Sequence, residues 1–466
     1  MISLTLREIA AVVNGRLAPA APRDATVGGS VETDSRLVTP GSIFFAMPGE
    51  EADGHDYIPQ AIANGAALVI AERAADAAVP VIVVGDGVAA LADLARAVVA
   101  RVRARGTLRV VAVTGSNGKT TTKNMLRAIL GAQGRTVAPD ASFNNHVGAP
   151  ISMLRVDEST RYLIVEMGAS HTGEIAHLVS IARPDIGIVL AVGRAHVGEF
   201  GGIDVIARAK AEMVVELPET ATAILNSDDR RVAAMAGQTA AGVRWFGRGE
   251  GSGLRAWNVV STLAGTAFDL VIDDRIVAVR LQIVGQHHAM NALAALSAAQ
   301  VLGIDTDEAV AALEAMPRAE RWRMELLRSP AGAVIINDAY NASPESASAA
   351  LHALVAVRPD GSRSIAVLGE MTELGASADE EHAAIGALVN RLGIHRLVVV
   401  GERARGIHSA VTATDGWAGT ADFVPTADAA FGLLEAELGP DDIVLVKSSK
   451  SANLRFLGDR LAGIAQ

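Results

Sequence analysis

The sequence predicts an α/β protein of three domains. Three observations predict it. The chain has 466 residues, long for one domain and enough for roughly three of about 150 residues each. Short apolar runs alternate with longer helical patterns, the signature of parallel strand–helix units. The pattern restarts after Gly106 and again after Met316-Pro317, which sets expected domains at 1–106, 107–317 and 318–466.

In the first domain SIFFAM (42–47), AALVIAE (66–72) and VPVIVVG (79–85) read as strands, and VAALADLARAVVARVRA (88–104) reads as a helix. LRVVAVT (108–114), YLIVEMG (162–168) and IGIVLAVG (186–193) are strands of the second. AVIINDAY (333–340), SIAVLGEM (364–371), HRLVVVG (395–401) and DDIVLVKSS (441–449) are strands of the third. Ligands of such sheets lie at the carboxyl ends of strands, and the chemically distinctive residues fall there.

Composition narrows the classes. Hydrophobic residues make up 50% and charged residues 20%, so a large core is affordable and global disorder is excluded. The formal net charge of -11 argues against a general nucleic-acid or anionic-membrane binder. The chain has no cysteine, which excludes disulfides, thiolate metal sites and cysteine nucleophiles. MISLTLREIAAVVNG does not read as a signal peptide, and no uncharged apolar stretch reaches the ~18 residues of a membrane helix. The expectation is a soluble, cytoplasmic protein.

VTGSNGKTTTK (113–123) follows a strand and leads into a helical pattern. Glycines let backbone N–H groups turn toward an anion, and the helix N-terminus adds positive potential. Gly115, Ser116, Asn117, Gly118, Lys119, Thr120 and Thr121 form the expected phosphate loop, with Lys119 at the β/γ-phosphates and the Thr120 hydroxyl on Mg²⁺. A glycine turn with a solvated lysine is the bland alternative, and the strand–loop–helix context disfavours it. The commonest pattern wants a glycine five positions before Gly118, where Val113 stands.

Glu166 ends the apolar strand YLIVE, and His196 follows the next strand in AVGRAHVGEFG. Both are reasonable metal ligands. A solvated strand end and a locally bonded loop histidine are their ordinary readings. In IARAKAEMVVEL (206–217), Lys210 shares a helical face with Ile206, Met213, Val214 and Leu217 by the three-and-four rule. Either its stem covers apolar surface while the amine reaches water, or the amine carries CO₂ as a carbamate and becomes an oxygen ligand. Periodicity does not choose between them.

TGSNGKTTTK, SFNNHVGAP (142–150), EMGASHTGEIAHL (166–178), GRAHVGEFGG (193–202) and AKAEM (209–213) resemble, in this order, the central domain of the Mur ligases. These are ATP-dependent amide-bond-forming enzymes of peptidoglycan precursor synthesis. The shorter loop, without a glycine at 113, is that family's form. GQHHAMNALAA (285–295) is similar to a family segment in which asparagine is usual where His288 stands. ERWRMEL (320–326) and NDAYNASPES (337–346) look like its third-domain segments. The resemblance covers essentially the whole chain.

Within the family, TDSR (33–36) and GSIFFAMPGEEADGHDYI (41–58) resemble a uridine-binding first domain. VLGEMTELG (367–375) with His382 resembles the dipeptide-adding branch, and the third-residue branch's Asp-Asn-Pro-Arg signature is absent. KSSKS (447–451) departs from the branch's usual Lys-Gly-Ser-Arg and leaves the role of Lys450 open.

The resemblance implies three domains: a uridine-binding α/β domain, a phosphate-loop domain with a mainly parallel sheet, and a Rossmann-like domain that binds the dipeptide and part of ATP. It implies UDP-N-acetylmuramoyl-tripeptide and D-alanyl-D-alanine as substrates, an acyl-phosphate intermediate, ATP and Mg²⁺, a carbamate on Lys210, and a bacterial cytoplasmic monomer without membrane insertion or nucleic acid. Lys119, Lys210 and His196 would be catalytic. Thr120, Glu166, His196 and carbamylated Lys210 would hold metal. Asn291, Arg323 and Asp338 would join the phosphate loop in binding ATP. Asp34, Ser35, Arg36, Asn144, Asn145, Tyr340 and Asn341 would contact the other substrates. The alternatives are another amide ligase of the superfamily, such as the third-residue type, and a catalytically inactive nucleotide-binding relative.

Overall fold

The computed structural model describes residues 1–19, 21–49, 52–140, 142–195, 197–316, 320–414 and 416–464. Three sheets organise it into three α/β domains. The first sheet has five strands in the order Arg16–Leu17, Val81–Val83, Leu68–Ala71, Ile43–Ala46 and Val31–Glu32, parallel except at the first pair. The helix Gly87–Arg103, started by the Asp86 side chain on the Ala89 N–H, leads out of it. The division expected at 106/107 falls between this helix and the strand Arg109–Thr114. The one expected at 317/318 lies outside the described residues.

The second sheet has nine strands and carries the chemistry. Thr136–Val137, Tyr162–Glu166, Arg109–Thr114, Ile186–Val189, Thr222–Asn226, Gly242–Gly247 and Leu254–Thr262 run parallel. Gly265–Ile272 and Arg275–Leu281 complete it antiparallel. Strand Arg109–Thr114 has Tyr162–Glu166 on one side and Ile186–Val189 on the other. The chain reverses its winding there, and such a switch point opens a crevice at the strands' carboxyl ends. The register sets Glu166 opposite Val113 and Val189 opposite Thr114, so three strand ends converge on one place.

The third sheet runs Glu325–Arg328, Val334–Asn337, Asp442–Lys447, Arg363–Leu368, Arg396–Val400 and Thr420–Val424, parallel except at its first pair. Strands of the second and third sheets that are covered on both faces read as nearly continuous apolar runs, and this is why their sequences stand out. The added hairpins of the second sheet alternate buried and exposed positions and were not among the expected strands. The strand expected over 186–193 ends at Val189. Among the described residues no helix is long and apolar enough to cross a membrane.

One apolar cluster runs from Ile9 and Leu94 of the first domain to Leu163 and Met213 of the second. The third domain builds its cores on the two faces of its own sheet. Ile188 is fully buried between Val113 and Ile224. Ile188→Ala is expected to destabilise the protein by about 2–5 kcal/mol. Ile276→Ala, at a residue 72% exposed, is expected to change stability by less than about 0.5 kcal/mol. Thermal unfolding of the two variants beside the parent checks both.

Candidate functional site

The strand Arg109–Thr114 ends in a loop that turns into the helix Lys119–Gln133. Val113 is fully buried in the strand, so the loop begins only after Thr114. Gly118 caps the helix in the left-handed region at φ +85, and a Cβ there would stand 2.4 Å from Asn291 Oδ1. Both the turn and the close approach demand glycine. Lys119 Nζ donates to Gly115 O at 2.7 Å. Burial pushes its amine below the usual lysine range; the Glu166 carboxylate works against that and the Arg323 guanidinium adds to it.

Glu166 is 1% exposed. Its Oε1 accepts from Asn144 Nδ2 at 2.8 Å and from Thr120 Oγ1 at 3.2 Å. Its Oε2 is buried without a hydrogen-bond partner among the described residues. A buried carboxylate oxygen with no donor is costly, and a cation satisfies it. The donors here are oxygens, the choice of a hard cation, and Mg²⁺ takes only one or two protein ligands beside phosphate and water. Thr120 and Glu166 fit that pattern. Among the described residues no three His, Asp or Glu side chains cluster as a metal cage. His196 lies outside the described residues.

Lys210 sits in the helix Ile203–Val215 and is 2% exposed, on the face of buried Ile206, Met213 and Val214. Its amine does not reach water as a snorkelling lysine does; it lies 6.0 Å from the centre of the Phe200 ring. Burial, helped by Lys119, lowers its pKa to about 7, with Glu212 and Glu174 opposing. Among the described residues the amine makes no hydrogen bond or ion pair.

The opposite wall comes from the third domain. Arg323 Nη2 donates to Ser142 Oγ at 3.0 Å, and its guanidinium lies 4.2 Å from the Tyr340 ring centre. Asp338 follows the strand Val334–Asn337. Its Oδ1 accepts from the Met324 N–H at 3.0 Å, and its Oδ2 takes Lys447 Nζ at 2.6 Å. Lys447 also donates to Asn341 O at 2.7 Å. Ser343 Oγ reaches across to Asn117 Oδ1 at 3.2 Å. From the second domain, Asn291 Nδ2 donates to His288 Nδ1 at 3.2 Å. Burial holds the imidazoles of His288 and His287 below their ordinary range, His287 at about 4.

Apart from Lys210 and Ser343, the side chains of these two walls line one cleft of about 970 Å³. It gathers Ser116 to Thr121, Asn144, Asn145, Glu166, Asn291, Arg323, Asp338, Tyr340 and Asn341. Asn145 also has a structural task, since its Oδ1 accepts from the Val147 and Gly148 N–H groups. Lys210 lies behind the cleft. Asp34, Ser35 and Arg36 are elsewhere. Asp34 caps the turn Ser35–Leu37 and holds Arg36 through two oxygens, and buried Ser35 donates to Gln60 Oε1 at 2.8 Å. Sequence reasoning missed Ser142, Ser343 and Lys447. A lysine ending the apolar run DIVLVK is the one local signal among the three.

The chain is similar to known proteins over nearly its whole length. Residues 113–299 match the model described as Mur ligase middle domain, 322–450 that described as Mur ligase, glutamate ligase domain, and 29–99 that described as Mur ligase family, catalytic domain. A Mycobacterium tuberculosis protein named UDP-N-acetylmuramoyl-tripeptide--D-alanyl-D-alanine ligase is 44% identical, over 99% of this chain and 98% of its own. The Escherichia coli protein of that name is 34% identical over 97% of each. A crystal structure of MurF from Acinetobacter baumannii superposes with a TM-score of 0.89 at 29% identity, covering 99% of both chains. MurF from Thermotoga maritima, solved in complex with ADP, gives 0.80 at 28% identity over 93% of this chain and 98% of that one.

The Asp338–Lys447 pair tests the site's architecture. Lys447 is buried, so Asp338→Ala, which leaves its charge unpaired, is expected to cost about 3–5 kcal/mol. The double variant Asp338→Ala/Lys447→Met is expected to recover part of that loss. Thermal unfolding of the single and double variants checks it.

Proposed function

The chain belongs to the Mur ligase family, and we propose on that premise that it joins D-alanyl-D-alanine to UDP-N-acetylmuramoyl-tripeptide at the expense of ATP. One observation carries the reading: a single cleft gathers the phosphate loop, Glu166 and the third-domain residues Arg323 and Asp338. It occurs in a chain similar over its length to ligases of that name. The ADP complex of the Thermotoga maritima relative supports nucleotide use.

The chemistry needs activation because a carboxylate is a poor electrophile and its oxygen a poor leaving group. Phosphoryl transfer from ATP to the tripeptide's terminal carboxylate gives an acyl phosphate and ADP. The dipeptide's amine attacks that carbonyl carbon; a C–N bond forms, the C–O bond to phosphate breaks, and the amine loses a proton. The phosphate-loop N–H groups and Lys119 bind the phosphates and offset the repulsion between two anions. Mg²⁺, on Thr120 and Glu166, would withdraw charge from phosphate oxygens. Asn291, Arg323 and Asp338 orient the nucleotide. Asn144 and Asn145 line the passage to the acceptor, Tyr340 and Asn341 border the third-domain side, and Asp34, Ser35 and Arg36 serve the uridine diphosphate end. On this reading 1–106 binds the UDP substrate, 107–317 binds ATP, 318–466 receives the dipeptide, and the protein works as a monomer in the bacterial cytoplasm.

Lys210 is assigned a carbamate. Only a neutral amine attacks CO₂, and an amine at about 7 is largely neutral just above neutrality. The carbamate's anionic oxygens would turn a buried amine that has no hydrogen bond or ion pair among the described residues into a ligand for metal.

Phosphate release tests the ligase reading. Release is expected with ATP, UDP-N-acetylmuramoyl-tripeptide and D-alanyl-D-alanine together, and not when single amino acids replace the dipeptide. Release driven by a single amino acid assigns the third-residue reaction instead, and ATP binding without release under every combination assigns an inactive relative. Lys119→Ala is expected to lower kcat about 10²–10³-fold. Isotope-labelled bicarbonate is expected to give a carbamate NMR signal that is lost in Lys210→Ala. The neutral fraction falls as pH drops through about 7, so the signal weakens in the same direction. A parent without the signal and an active Lys210→Ala reject the carbamate.

A further inference from the structure

Gly198 has no local reason to be glycine. It lies in the short helix Val197–Phe200, outside the left-handed region where glycine is favoured. A Cβ there would stand 2.5 Å from the Gly375 nitrogen and 2.8 Å from its Cα. Both are backbone atoms of the third domain, so no side chain swings aside to make room. What requires glycine at 198 is the approach of another domain.

Polar contacts hold that approach. The Gly198 N–H donates to Glu373 O at 2.9 Å. The Arg194 N–H donates to Glu345 Oε1 at 2.8 Å, and the Arg194 guanidinium pairs with Glu381, whose side chain is buried. On its inner side the same stretch meets the reaction machinery. The Gly193 N–H donates to Ser116 Oγ of the phosphate loop at 2.8 Å. Phe200 faces the Lys210 amine at 6.0 Å. Arg194 and Gly198 thus stand between the third domain and the two places where charge is handled.

We propose that Arg194 and Gly198 are positioning residues: the third domain docks on them and thereby fixes Ser116 and Phe200 about the phosphate loop and Lys210. Neither residue touches a reacting atom. The proposal rests on the ligase reading of the same cleft. It explains why the third domain, which carries Arg323 and Asp338 on one wall, makes a second contact beside Lys210. Chemistry then waits on docking, and the acyl phosphate forms only when water is shut out.

The test uses the full chain with ATP, UDP-N-acetylmuramoyl-tripeptide and D-alanyl-D-alanine. Gly198→Ala and Arg194→Ala are expected to lower kcat about 10–100-fold with KM for the UDP substrate within about twofold of the parent, as a misplacement costs turnover more than binding. The thermal midpoint is expected to stay at the parent's value. Arg194→Ala combined with Glu381→Gln is expected to lose no more than Arg194→Ala alone, because one contact is removed twice. Parent-like kcat in both single variants overturns the proposal. So does a rise in KM at unchanged kcat, a fall of the thermal midpoint in step with kcat, or multiplied losses in the double variant. A parent that releases no phosphate overturns the ligase reading instead. Docking is then decided by solution scattering of Arg194→Ala/Glu381→Gln: a larger radius of gyration than the parent's upholds it, and an unchanged radius overturns it.

Discussion

A carboxylate oxygen buried without a hydrogen bond is the constraint around which this protein is arranged. Glu166 Oε2 has no donor, while Oε1 is held by Asn144 and Thr120. Nothing in the apolar strand YLIVE requires an acid at its end. Its place follows from register: Glu166 lies opposite Val113, and the next residue of that neighbouring strand, Thr114, ties to it by donating to Met167 O at 2.7 Å. The valine keeps the strand going, its side chain in the core, until the loop and the carboxylate stand side by side.

The cations around Glu166 differ in how firmly they are held, and this sorts their tasks. Lys447 is bound to an anion, Asp338, and leaving it would strand a buried charge, so it belongs to the framework. Arg323 rests on an aromatic face and a hydroxyl, with the Glu320 carboxylate 3.7 Å from its Nε, contacts that restrain its orientation while leaving part of its fork for an anion. Lys119 holds neutral carbonyls of its own loop, Gly115 O and Ser116 O, partners readily exchanged for phosphate. Among the described residues Lys210 has neither anion nor carbonyl, and burial has already weakened its hold on a proton. A chain of net charge -11 therefore sets Lys119, Arg323 and Lys447 among the carboxylates that line the cleft, with Lys210 behind it, graded from fixed to reactive.

Much of this was legible in the chain because burial writes itself into composition. Strands covered on both faces are apolar throughout, and the Lys210 face recurs every three or four residues, so both could be read. The antiparallel hairpins beyond Leu254 could not: their polar outer positions and the left-handed Asn258 that bends them break the apolar run. Reading Lys210's face did not give its chemistry, which depends on depth and on Lys119 nearby. Contacts between residues far apart were invisible for a different reason. Arg323 meets Ser142 across 181 residues and Ser343 meets Asn117 across 226, and no local pattern encodes such pairs. Asp34, expected as a substrate contact, also caps the turn Ser35–Leu37.

The way the domains are joined decides which of them moves. The first and second share a continuous apolar cluster, and separating them would expose it to water at a cost that grows with area. The third keeps its own cores. Among the described residues, Val284 and the partly buried Val197 and Leu263 are the second domain's contribution to them. Its other ties to the second domain include polar ones: Ser343 to Asn117, Arg323 to Ser142, Glu320 to Asn124, Glu345 and Glu381 to Arg194, and Glu373 O to the Gly198 N–H. Water replaces such bonds at small net cost. The first two domains are therefore held to each other by apolar burial and the third to them mainly by polar bonds, so the third is the one that separates at the smaller cost.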